Sequence, residues 1–133
     1  VLEKRLLQLI VAFACIVPLA AGGAGAVRGP GPLWHMPASP VFNSHYHYLS
    51  GLLLGIGIGF LTCLPSIENK GARFRTLGFV VLIGGLARLW AASGADGRAA
   101  GILFPLAMEL GVVPLLMLWQ ARVARRMRAA SFN

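Results

Sequence analysis

Residues 44–64, SHYHYLSGLLLGIGIGFLTCL, contain no Asp, Glu, Lys or Arg. At about 1.5 Å per residue a helix through them covers the ~30 Å hydrocarbon core of a bilayer, so the stretch predicts a transmembrane helix. Gly51, Gly55 and Gly59 recur at every fourth position and fall on one face. Such a face leaves a groove in which another helix can approach the backbone closely. His45, Tyr46, His47 and Tyr48 stand at one end of the run, and rings with an apolar body and a polar tip suit the headgroup boundary.

Three further apolar runs occupy residues 6–27, 74–93 and 99–120. The chain is 57% hydrophobic and 12% charged, about half the charge of a soluble domain, so most of it is solvated by lipid. The pattern predicts an all-α integral membrane protein, an up-and-down four-helix transmembrane bundle in a single domain over 1–133. The first run follows Lys4 and Arg5 and ends near Ala24-Gly25-Ala26, which also fits a secretory signal peptide. A retained first helix is the expectation, bent or loosened at Pro18, its small residues packing on the glycine groove of the second helix. Residues 28–43 hold four of the eight prolines and are expected to form an outward loop. Its apolar Trp34, Met36, Val41 and Phe42 favour the interface, with Trp34 and His35 joining the ring cluster at the start of the second helix. Residues 121–133 form a basic tail, expected to continue the last helix into water.

The net charge of +8 suggests nucleic acid only until the charges are placed. They flank apolar runs. Four spans put Lys4, Arg5, Lys70, Arg73, Arg75, Arg122, Arg125, Arg126 and Arg128 on one side and only Arg28 and Arg98 on the other. That asymmetry predicts cytoplasmic termini and no nucleic-acid role.

Arg88 and Glu109 are the ionisable side chains well inside the spans. A charge at mid-membrane costs on the order of 3 kcal/mol, so the two are expected to pair, with a ligand site or separate partners as the alternatives. Arg88 lies roughly 8 Å and Glu109 roughly 14 Å from the outer helix ends, a difference an arginine side chain can bridge. His35, His45 and His47 have no Cys or carboxylate nearby to complete a metal shell, and they do not offer axial haem ligands on facing helices. Cys15 and Cys63 read as two buried thiols in apolar runs, implying neither a disulfide nor a metal. No nucleophile–base set or paired carboxylates can be read, and the Gly-x-Gly matches lie inside spans where phosphate does not reach. No cofactor, metal or catalytic residue is expected.

The blocks SHYHYLSGLLLGIGIGF, IENKGARFRTLGFVVLIGGLARLW and AMELGVVPLLMLWQARV resemble a family of small four-helix bacterial membrane proteins catalogued as domain of unknown function 4345. The family pattern matches at Tyr48 to Gly51, at Arg88 and at Glu109. The resemblance implies a four-span inner-membrane protein and brings no reaction, cofactor or partner.

The expected function is that of a non-catalytic structural or accessory subunit, surrounded by membrane lipid and packing against a larger membrane complex or against itself. The alternative is a binder or carrier of a small hydrophobic or anionic molecule, a quinone or a lipid, through Arg88 and Glu109.

Overall fold

The computed structural model describes residues 1–30, 39–93 and 100–132. The described residues form five α-helices, α1 (Leu2–Arg28), α2 (Pro40–Leu61), α3 (Gly71–Ser93), α4 (Ala100–Ala107) and α5 (Val113–Ala130), with a π turn over Met108–Val112 joining the last two. They give four helical spans long and apolar enough to cross a membrane, and no strand among the described residues. The fold is therefore all-α and transmembrane. The chain divides into two compact units, Gln8–Leu64 and Val1–Leu7 with Pro65–Asn133.

Helix starts differ from the sequence expectation, α1 beginning at Leu2, ahead of residue 6. α2 begins at Pro40 instead of residue 44, so the proline-rich segment gives up its last four residues to the helix. Ser39 is the N-cap, its Oγ accepting from the Phe42 N–H at 3.1 Å, and Pro40 takes the first helical position, where a missing N–H costs nothing. The Ser-Pro pair is thus a start signal. α3 likewise begins at Gly71, ahead of residue 74.

In the unit Gln8–Leu64, α1 and α2 run antiparallel. Pro18 and Leu19 lie opposite Gly57, Gly22 opposite Ser50 and Leu54, Gly25 opposite Ser50 and Tyr46, and Gly29 opposite His47. A Cβ on Gly22 would stand 2.5 Å from the Leu54 nitrogen, so backbone meets backbone there. The seam corrects one expectation. The glycine groove belongs to α1, through Gly22, Gly25 and Gly29, and α2 fills it with His47, Ser50 and Leu54 while contributing Gly57. Gly51 and Gly55 lie outside this seam, where an added Cβ would meet nothing within 4 Å. The physical reason is complementarity: glycine facing glycine leaves a void, whereas glycine facing a larger side chain fills it. α1 remains one helix through Pro18, whose ring lies against Gly57.

In the other unit α3 packs antiparallel on the π turn and α5. Gly71, Phe74, Gly78 and Gly85 are the buried residues of α3, a heptad-like spacing that keeps one face toward its neighbour. Gly71 faces Gln120, Gly78 faces Met117, and Gly85 faces Glu109 and Leu110. Leu7, Ile67, Phe74 and Gln120 are fully buried, and Gln120 donates to the Ile67 carbonyl at 2.7 Å. Lys4 pairs with Glu68 at 2.9 Å.

Candidate functional site

The π turn positions the site. Val113 donates its N–H to the Met108 carbonyl, five residues back, and the next residue, Pro114, has no N–H with which to resume the regular ladder. Glu109 sits inside this turn. The helices come together because Gly85 has no side chain: a Cβ there would lie 2.8 Å from the Glu109 Cβ and 2.9 Å from Leu110 Cδ2. Arg88 is three residues beyond Gly85, on the same face. Helical side chains lean toward the helix N-terminus, so Arg88 is aimed back along α3 toward the level of Gly85 and Glu109.

The two ions form a fork. Arg88 Nε donates to Glu109 Oε2 and Nη2 to Oε1, both at 3.0 Å. A bidentate guanidinium–carboxylate pair adds directional specificity to charge attraction. The Arg88 side chain is 44% exposed and that of Glu109 17%. The fork consumes two of the five guanidinium N–H groups.

The ring cluster at the start of α2 is partly a joint. His47 Nδ1 donates to the Ala26 carbonyl at 2.8 Å, one of the last carbonyls of α1 that the helix cannot satisfy. Gly29 follows with φ of 68°, the left-handed conformation that ends helices, and a Cβ there would meet His47 Nε2 at 2.7 Å. His45 instead bonds within α2, Nδ1 donating to the Val41 carbonyl at 2.9 Å. The two histidines therefore diverge, as residues two apart on a helix must. Tyr46 packs its ring near Phe42 with centroids 6.2 Å apart, and Tyr48 is exposed. Trp34 and His35 lie outside the described residues. No three His, Cys, Asp or Glu side chains gather into a metal-binding group among the described residues. Cys15 and Cys63 are buried thiols that are not joined in a disulfide.

A second polar cluster, not anticipated as such, surrounds Glu3. Its carboxylate accepts from Arg126 Nη1 at 2.7 Å and from Trp119 Nε1 at 3.3 Å, and Arg122 Nε lies 3.3 Å away. The i, i+4 spacing of Arg122 and Arg126 signals a shared anionic partner, but the sequence does not say which carboxylate supplies it.

The family profile of a domain of unknown function, DUF4345, matches residues 6–120. The chain belongs to this family. Arg88, Glu109 and the whole of the π turn lie inside the matched region, whereas Glu3, Arg122 and Arg126 lie outside it. No curated protein and no solved structure matches the chain.

Proposed function

We propose that this DUF4345 protein is a non-catalytic structural or accessory subunit of the bacterial inner membrane, packing against a larger membrane complex or against a second copy of itself. The observation that carries this reading is the free glycine face of α2. α1 already occupies the His47, Ser50, Leu54 and Gly57 face, whereas a Cβ added at Gly51 or Gly55 would meet nothing within 4 Å among the described residues. Small-residue faces are how helices associate in lipid, where apolar side chains gain nothing by leaving the acyl chains. The closed Arg88–Glu109 fork supports the same reading, because a pair that satisfies itself locks α3 to the π turn and needs no substrate. In this reading both termini face the cytoplasm, which is supported by the nine basic residues that four spans put on the side of the termini against two on the other.

The test compares two glycines that are both open in the chain, Gly55 and Gly23. Gly55→Leu is expected to abolish chemical cross-linking to a second copy or to co-purifying membrane proteins in mild detergent, with Gly23→Leu leaving it intact. Equal behaviour of the two would refute the packing role. Orientation is read separately by labelling Ser39→Cys and Asn69→Cys with an impermeant maleimide on intact cells, in a background lacking Cys15 and Cys63. Only Ser39→Cys should react.

The unused N–H donors of Arg88 favour one second reading, a binder of a quinone or lipid whose acceptor oxygen reaches the exposed side of the fork. Quinones and lipids extracted from purified wild-type protein and from Arg88→Leu/Glu109→Leu separate the two readings. Loss of one bound species in the double variant supports a ligand site, and an unchanged extract supports a structural pair.

A further inference from the structure

α5 carries a face that changes chemistry part-way along. Leu115, Leu118, Arg122, Arg125, Arg126 and Ala129 fall within an arc of about 100° at the usual helical rotation, and all are exposed. The opposite face, through Leu116, Met117, Gln120, Val123 and Ala124, is buried. The outward stripe is therefore leucine first and arginine afterwards. The change falls where a membrane should end: from Ala100 to Trp119 the helical run covers about 30 Å, the thickness of the hydrocarbon core. Trp119 itself donates to Glu3, the polar-tipped ring expected at that depth.

We infer that the stripe Arg122–Arg125–Arg126 is a binding surface for the phosphate of anionic phospholipid in the leaflet that meets the end of α5. The same face that touches acyl chains through Leu115 and Leu118 continues directly into the headgroup layer, so the occupant is a lipid whose tail already lies on the helix. Charge decides the kind of headgroup. Glu3 is shared by Arg122 and Arg126, and one carboxylate against two guanidiniums leaves an excess of positive charge. Arg125, on the flank of the stripe beside Arg122, has no hydrogen-bond or ion-pair partner among the described residues and adds to that excess. Glu3 also holds two of the guanidiniums in place, which reduces the ordering cost of the phosphate site. Arginine suits the role because its planar fork matches phosphate oxygens in pairs. A zwitterionic headgroup brings its own cation and gains less.

The test uses the full chain in nanodiscs of phosphatidylcholine mixed with phosphatidylglycerol, with the lipids that remain bound on release counted by native mass spectrometry. Wild-type protein is expected to retain phosphatidylglycerol preferentially, and to lose the preference as salt is raised. Arg125→Gln should weaken retention about fivefold, from the typical value of one basic residue at a charged surface, and Arg125→Lys should keep most of it. Arg28→Gln, at the C-terminal end of α1, should have no effect. Equal retention of the two lipids by wild-type protein would overturn the proposal without reference to any variant. So would an unchanged preference in Arg125→Gln, or displacement of the lipid by a co-purifying acidic protein that occupies the same arginines.

Discussion

Removing the Arg88–Glu109 fork from one side at a time tests the architecture most directly. The two residues are joined by two bonds of 3.0 Å across the closest approach of α3 to the π turn. Arg88→Leu strands the carboxylate beside Gly85, and Glu109→Leu strands the guanidinium on a surface that meets lipid. Exposure to lipid gives no dielectric relief, so the 44% exposure of Arg88 does not discount the loss as it would in water. Insertion scales put a lone charge at this depth at about 3 kcal/mol, and breaking buried pairs typically costs about 3 to 5 kcal/mol. Each single variant should therefore lose about 3 kcal/mol. Arg88→Leu/Glu109→Leu should recover much of that loss, because neither charge remains to be solvated.

The assay is a double-mutant cycle on thermal unfolding in one detergent. Additive losses with no recovery in the double variant would show that the fork contributes no coupling energy, and the structural reading of the pair would be abandoned.

Other perturbations act elsewhere. Gly22→Ala should destabilise the α1–α2 pair by about 1 to 3 kcal/mol, because its Cβ would press on the Leu54 backbone, while Gly51→Ala leaves melting of the isolated chain unchanged. Gly29→Ala should cost at least about 1 kcal/mol from its left-handed φ alone, and His47→Ala a similar amount through the lost bond to the Ala26 carbonyl, both read by thermal melts. Burial pushes the Glu68 carboxyl up, but the Lys4 ammonium at 2.9 Å and a hydrogen bond from its own backbone outweigh this and hold it below the usual carboxylate range. A lowered folded value means the contribution is present above the ordinary carboxylate range and is lost as pH falls through the folded value, so Lys4→Gln should flatten the acid side of the stability–pH curve.

What could be read in advance follows the range over which each interaction acts. Span number and helical class rest on hydrophobic run length, a property of the chain alone, and the four long apolar helices agree with it. The Arg88–Glu109 contact was legible because lipid makes unpaired ions expensive and the sequence offers these two at compatible depths. Packing was less legible. Gly51, Gly55 and Gly59 look like the seam of α2, yet a seam needs a partner surface of opposite relief, and α1 presents Gly22, Gly25 and Gly29. Two glycine faces do not fill one another, so α2 turns His47, Ser50, Leu54 and Gly57 inward. In α3 the heptad Gly71, Gly78, Gly85 opposes Gln120, Met117 and Glu109, again glycine against bulk. A glycine stripe in a membrane chain therefore marks a face that can accept a neighbour, and which face is used inside the molecule depends on where the larger residues of the next helix lie. Gly51 and Gly55 are left over by that rule, which is why the association test falls on them.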